Sequence, residues 1–251
     1  MKEVADIRWL KEVDSTNNEA IRLLDRLDNL SVIAAWTQTA GRGQRGNSWL
    51  TAGGLNLTFS MVLKFGEGGF PPMKASEQFD LTRCVALGLT DYLENEEISA
   101  TVKWPNDIYA RNRKLCGVLI ENTLRDGEVA SSVVGIGLNV NQKDFPPQLV
   151  NPTSMTLLTG KEYDIEASLR SICACLVKRL AALCGAERAR LRNEYLRRLY
   201  RFGVFNEYVV CSSGVALVGR IVDVTDSGLL EIETKEGERL RFAFKEISYV
   251  I

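Results

Sequence analysis

The clearest regularity along the chain is an alternation. Across residues 55–63 the apolar Leu55, Leu57, Phe59, Met61 and Leu63 take every second place, with Asn56, Thr58 and Ser60 between them. That is the period of a strand with one apolar face. Upstream, residues 7–13 read as a short strand and 31–36 as an apolar, β-branched buried strand. Between them Thr16 and Glu19 have the spacing of a capping box that opens a helix carrying Ala20, Leu23, Leu24 and Leu27. Residues 75–93 repeat apolar side chains at helical spacing. Residues 101–104 form a short strand halted by Pro105, with 107–110 continuing it, and 111–114 make a tight basic turn. Residues 115–121 and 132–140 pair as strands through Arg125-Asp126-Gly127, a sequence suited to a hairpin. Helices follow at about 165–183 and 187–200. From Phe205 the texture changes to short strands with turn signals at Ser213-Gly214, Ser227-Gly228 and Glu236-Gly237, which predicts a small barrel of four or five strands. The pattern gives an α+β fold with a mainly antiparallel sheet flanked by helices, a larger domain over 1–204 and a smaller one over 205–251.

Composition narrows the chemistry. The 251 residues carry 31 Lys and Arg against 32 Asp and Glu, a balance unlike that of a dedicated nucleic-acid binder. There is no histidine, which removes Ser-His-Asp and Cys-His catalysis and most zinc sites. The cysteines (Cys84, Cys116, Cys173, Cys175, Cys184 and Cys211) include no CxxC pair and read as reduced; Cys173 and Cys175 point to different sides of a helix. The first residues lack a leader's basic-then-apolar layout, and no apolar run reaches the length of a spanning helix. A soluble, cytoplasmic protein is expected.

Four stretches invite a functional reading. Residues 40–49 read A-G-R-G-Q-R-G-N-S-W. Gly41-x-Gly43-x-x-Gly46 formally matches a dinucleotide loop, but such a loop opens a helix, and here the alternating strand follows. What remains is a loop of backbone amides with Arg42 and Arg45 as clamps for an anion, or a solvated loop. Lys103-Trp104-Pro105-Asn106-Asp107 sets an amide and a carboxylate side by side at a strand break, either to read a base and hold a cation or simply to make a turn. Lys114 stands at the mouth of an apolar strand, facing a ligand or water. Gly135-Ile-Gly-Leu-Asn139-Val-Asn141 is a strand whose glycines mark either close approach by a ligand or a bulge. The arginine-rich stretch 186–201 keeps an apolar stripe and reads as a helix with a solvated basic face. No Ser or Cys has a base beside it in the pattern.

Taken in order, these segments resemble the biotin–protein ligases, also called biotin–acetyl-CoA-carboxylase ligases. The resemblance runs through Asp14-Ser15-Thr16-Asn17, Gln38, the loop 40–46 with Trp49, Asn56-Leu57, residues 103–107, Arg113-Lys114-Leu-Cys-Gly117 and residues 135–141. It implies a class II synthetase-like (biotin–lipoate ligase) fold with a small SH3-like C-terminal domain. The implied activity joins biotin to ATP with Mg2+ to give biotinoyl-5′-AMP, then passes biotin to a lysine of the biotin carboxyl carrier domain of a carboxylase. By the resemblance Lys114, Asp107 and Arg42 would be catalytic. Ser15, Thr16, Asn17, Gln38, Gly41, Arg42, Gly43, Gln44, Lys114, Gly117 and Gly137 would bind biotin, with Ser15, Thr16 and Gln38 on the ureido ring and the two later glycines admitting the tail. Arg45, Trp49, Lys103, Asn106 and Asn139 would bind the nucleotide, with Asn106 facing adenine, and Asp107 would orient Mg2+ or the lysines.

Two departures stand out. Relatives often carry arginine where Gln44 and Asn47 stand, so weaker retention of the acyl-adenylate is expected. Some relatives also begin with a winged helix-turn-helix that represses transcription; here the motifs start almost at once, so sequence-specific DNA binding is not expected, nor is membrane association. A homodimer is compatible with the pattern. The glycine-rich loop is expected to order on ligand binding. A lipoate–protein ligase, an RNA-binding module using the Arg-Gly loop, and an idle biotin-binding regulator are the rival readings.

Overall fold

A glycine-poor, apolar alternation builds the layer on which everything else rests. A computed structural model of the chain describes residues 4–185 and 187–250, with Arg45 and Arg188 described by backbone alone. Met1, Lys2 and Glu3 of the leader reading, and Ala186 at the head of the arginine-rich stretch, lie outside the described residues. The elements in order are β1 (Ile7–Val13), α1 (Thr16–Arg22), β2 (Val32–Gln38), β3 (Leu57–Lys64), β4 (Met73–Lys74), α2 (Phe79–Asn95), β5 (Thr101–Lys103), β6 (Asp107–Ala110), β7 (Arg113–Arg125), β8 (Glu128–Leu138), α3 (Met155–Thr159), α4 (Ile165–Leu180), α5 (Arg188–Arg197), β9 (Phe205–Val210), β10 (Ala216–Val224), β11 (Leu230–Thr234), β12 (Arg239–Phe242) and β13 (Ile247–Tyr249). The larger sheet runs β1-β2-β3-β8-β7-β6-β5 with β4 beside β8; β1 and β2 are parallel and the other pairs antiparallel. The fold is α+β with a mainly antiparallel sheet flanked by helices.

Because side chains alternate across a strand, the two faces of this sheet differ. Leu57, Phe59, Met61 and Leu63 of β3 enter the main core with Leu81, Val85 and Leu89 of α2 and Leu169, Ile172 and Leu176 of α4. On the opposite face Ile33, Val62 and Val133 form a small cluster with Ala20 and Leu27, so α1 covers only part of it. The rest of that face holds the pocket described below. At the far end, Asp126 and Gly127 both take positive φ (53° and 79°), the turn that Asp-Gly favours between twisted strands, and β7 and β8 pair along their length.

The C-terminal strands form a second sheet, β12-β11-β10-β9-β13, whose end strands are not paired with each other among the described residues. Arg83 and Trp104 are among the side chains that tie it to the larger part of the chain. The buried Arg83 of α2 sits 2.7 Å from Asp80 and 3.2 Å from Asp226 and donates to the carbonyls of Val224 and Thr225. Trp104 donates its indole N–H to Gly228 O at 3.0 Å.

Four sequence expectations are corrected. Residues 107–110 do not continue residues 101–104: the chain reverses across Trp104-Pro105-Asn106, and β6 pairs antiparallel with β5. Thr16 and Glu19 make no capping box; Ser15 is the N-cap, without a side-chain cap bond, and the Thr16 hydroxyl turns to Gln38 instead. Leu55 precedes β3 and is 42% exposed, while the polar Asn56, Thr58 and Ser60 are buried, since that face looks into a pocket rather than into water. The short helix α3 was absent from the pattern reading.

Candidate active site

The pocket begins as a gap in the α1 face of the sheet. Along β8 this face carries Val133 beneath α1, then Gly135 and Gly137, which have no side chains to raise it. Cross-strand register sets Gly137 opposite Gly117 of β7 and beside Thr58 of β3, and Gly135 beside Ser60. The result is a trench floored by backbone. Its glycines are obligatory for contact: a Cβ at Gly135 would stand 2.1 Å from Asn17 Oδ1 and one at Gly137 2.5 Å from Trp49 Nε1.

One end of the trench is neutral and polar. The start of α1 delivers Ser15, Thr16 and Asn17, all buried, against Gln38 at the end of β2. Gln38 Oε1 accepts from Thr16 N at 2.8 Å and Thr16 Oγ1 at 3.2 Å. Ser60 Oγ lies 2.8 Å from Thr16 Oγ1 and 2.5 Å from Asn17 Oδ1. Asn17 Nδ2 donates to Glu121 Oε2 at 2.8 Å. Just outside, the Arg22 guanidinium and Asn18 amide hold the Asp14 carboxyl well below the usual carboxylate range. A buried polar set this interlocked is pre-shaped for a ligand that donates and accepts.

The other end is cationic. Lys114, entering β7, points its ammonium to Asp107 Oδ1 at 2.8 Å and lies 5.8 Å from the Trp49 ring centre. Lys103 at the end of β5 also lines the pocket; burial pushes its pKa down, the Asp107 charge opposing this and Lys114 and Arg201 adding to it. Phe244, in the turn between β12 and β13, packs edge-on against Trp104 and closes this end. Cys116 next door is no nucleophile, for burial pushes its thiol well up.

The loop 40–49 folds over the trench. A single turn of 3-10 helix spans Gln44–Gly46, and Arg42 bridges to Ser48. The Arg42 guanidinium reaches Glu121 Oε1 and Asn18 Oδ1, each at 2.6 Å. Glu121 therefore joins the floor, through Asn17, to the lid, through Arg42. The Trp49 indole lies flat on the glycine strip, and its N–H is buried with no hydrogen-bond partner among the described residues. The cavity volume is about 140 Å3.

Residues 9–139 match the family model for the biotin/lipoate A/B protein ligases. The chain belongs to that family. It is 30% identical to the biotin–[acetyl-CoA-carboxylase] ligase of Paracoccus denitrificans, over 92% of this chain and 95% of that one. It is 28% identical to the bifunctional ligase/repressor BirA of Bacillus subtilis over 82% of this chain, and spans only 62% of that relative's length. In three dimensions it is similar to the biotin protein ligase from Aquifex aeolicus in complex with biotin and ATP, with a TM-score of 0.76, 27% identity and coverage of 97% and 98%.

For this member of the biotin/lipoate ligase family, the pocket gathers Ser15, Thr16, Asn17, Gln38, Arg42, Gly43, Gln44, Trp49, Lys103, Asn106, Asp107, Lys114, Gly117 and Gly137 from the sequence reading. Three of the expected residues stand otherwise. Gly41 supports the loop, its carbonyl accepting from Trp49 N at 2.9 Å, without lining the pocket. Asn139 lies behind it: its amide donates to Thr153 O at 2.9 Å, and Thr153 N in turn donates to Lys114 O at 2.9 Å, so Asn139 braces the Lys114 backbone. The Arg45 side chain is outside the described residues. Asn106 lines the pocket but turns its amide to the Val118 carbonyl. The strip at Gly117 and Gly137, expected to admit a ligand's tail, is covered by Trp49. Sequence reasoning missed Glu121, Thr58, Ser60 as a site member and Phe244; Gly135 stood among the glycines read as close approach or bulge, without a place in the ligand set. The first three could have been found by carrying the two-residue period across the paired strands; Phe244 had no local signal.

Proposed function

We propose that the chain is an ATP-dependent ligase that activates biotin as biotinoyl-5′-AMP and transfers it to a lysine of a biotin carboxyl carrier domain. The observation that carries this is the polarity of the pocket: hydrogen-bonding but uncharged at Ser15, Thr16, Asn17 and Gln38, cationic at Lys103 and Lys114. A ureido ring suits the first end, and a carboxylate meeting an α-phosphate suits the second. In the first step a biotin carboxylate oxygen bonds to the α-phosphorus as the bond to the β-phosphate breaks, and pyrophosphate leaves. Two anions meet, so the step needs fixed positive charge in a site closed to bulk water. Lys114 supplies it, braced by Asn139 and Thr153 and oriented by Asp107; Lys103 faces the departing phosphates. In the second step an acceptor lysine's neutral amine attacks the mixed anhydride carbonyl, and AMP leaves.

Mg2+ arrives with the nucleotide. Among the described residues no three metal-ligating side chains cluster, but magnesium is commonly held by one or two carboxylates together with substrate phosphates, and Asp107 is the carboxylate at the cationic end. Held there, the ion would screen phosphate charge. Among the described residues no helix is long and apolar enough to cross a membrane.

Lipoate is the second substrate to weigh. Its dithiolane ring offers no amide hydrogen bonds, so it displaces water from the polar Thr16, Asn17 and Gln38 end without making any bond in return, a loss that discriminates against it. The test is pyrophosphate release from MgATP with biotin, then with lipoate. Release with biotin alone is expected; release with lipoate and not biotin overturns the assignment, and release with neither removes the ligase reading.

A further inference from the structure

The ammonium of Lys103 has an unusual setting for a pocket cation. It lies 4.8 Å from the ring centre of Tyr249 and 5.1 Å from that of Tyr109, held between two aromatic faces. Tyr200 leans on both rings, with centroids 5.7 Å from Tyr109 and 6.2 Å from Tyr249, and Tyr208 meets Tyr249 edge-on at 5.3 Å. Among the described residues Lys103 forms no ion pair within 4.0 Å and no side-chain hydrogen bond. Its neighbour Lys114, by contrast, is paired with Asp107. Charged groups that act on Lys103 are Asp107, Lys114 and Arg201, and none is bonded to it.

Tyr249 comes from β13, the last strand of the second sheet. Its hydroxyl is buried without a hydrogen-bond partner among the described residues. What the residue offers at this point is therefore its ring face, not its oxygen. A ring face attracts a cation without neutralising it, whereas a carboxylate at the same place would compete with any incoming anion.

We infer that Tyr249 is a positioning residue for the nucleotide: with Tyr109 it holds the Lys103 ammonium at the cationic end of the pocket, unpaired and ready for the phosphate chain. This rests on the ligase reading above. It also gives the second sheet a part in the site beyond the wall supplied by Phe244, because β13 pairs with β9 and carries Tyr249 to Lys103. The downward push that burial puts on the Lys103 pKa fits a half-dry cation whose solvation has been replaced by rings and awaits an anion.

The test uses the full chain and KM values measured at saturating partner substrate. Tyr249→Leu is expected to raise the KM for MgATP about tenfold, a cation–π contact in a desolvated place, with the KM for biotin unchanged within twofold. Tyr249→Phe, which keeps the ring, is expected to rescue most of that loss. In a Lys103→Met background Tyr249→Leu is expected to add less than twofold, because the group through which it acts is gone. A loss that persists in that background, a failure of Phe to rescue, or an equal rise in the biotin KM overturns the inference and leaves Tyr249 a packing residue. Should the wild-type chain release no pyrophosphate, the ligase reading fails on its own. The same variants titrated calorimetrically with MgATP then decide the Lys103–Tyr249 coupling, with equal affinity in wild type and Tyr249→Leu overturning it.

Discussion

The two ends of the pocket are built differently. At the neutral end Thr16, Asn17, Gln38 and Ser60 sit on regular elements, hydrogen-bonded over 2.5–3.2 Å, with all but the half-buried Gln38 buried and the buried Ser15 just ahead of α1. At the cationic end Lys103, Asp107 and Lys114 stand at strand ends around a reversed turn, with Phe244 and Tyr249 reaching in from a second sheet. Recognition of a neutral polar group depends on direction and tolerates little movement, so it belongs on a continuous sheet. Charge screening depends mainly on distance, so it can be assembled from chain ends. The contrast predicts that damage at the cationic end changes turnover or the hold on MgATP, and damage at the neutral end changes the affinity for biotin.

The largest effect tests the cationic end. Lys114→Ala should lower biotin-dependent pyrophosphate release by about 100-fold or more, as loss of one preorganised cationic donor does. It should leave the KM for biotin within a fewfold, and a large rise in that KM with normal turnover would erase the distinction between the ends.

At the neutral end, Gly135→Ala puts a methyl into Asn17, 2.1 Å from its Oδ1. The amide must leave Ser60 or Glu121, and the KM for biotin should climb by about tenfold with a smaller change in kcat. In an Asn17→Ala background the extra methyl should cost much less. Equal penalties in both backgrounds would mean that the strip is needed for some other reason than Asn17.

The smallest effect concerns the lid between the ends. Gln44 lines the pocket without a charge, so Gln44→Arg should slow release of the acyl-adenylate by about fivefold, one added charge-assisted contact. Rapid gel filtration of the labelled intermediate measures it; release from the wild type that is slower than from Gln44→Arg would sink the expectation.

The sequence was most legible where the physics is local. The alternation from Leu57 to Leu63 follows from strand geometry alone, and Asp126-Gly127 names its own turn. The ordered motifs located Lys114, Asp107 and Gln38 before any coordinates. Legibility failed where a residue's partner is distant along the chain. Thr16 has the local pattern of a cap, yet its hydroxyl is spent on Gln38, 22 residues away, and on the neighbourhood of Ser60. Asp107 seemed to prolong a strand because nothing nearby announces that Trp104-Pro105-Asn106 reverses it. Phe244 and Tyr249 join the site only through tertiary packing of the second sheet, and no spacing rule reaches across such separations.

The indole on the glycine strip has a consequence for every affinity measured on this chain. A group tethered to its own groove is present at a fixed local concentration that no dialysis or dilution lowers. A ligand that lies along Gly117 and Gly137 therefore displaces a resident, and its observed dissociation constant is its own divided by the fraction of molecules in which the strip is free. Binding and the environment of Trp49 change together, which makes the chain its own optical reporter: the eviction of one tryptophan from a dry groove into a new setting is a spectral event that needs no label.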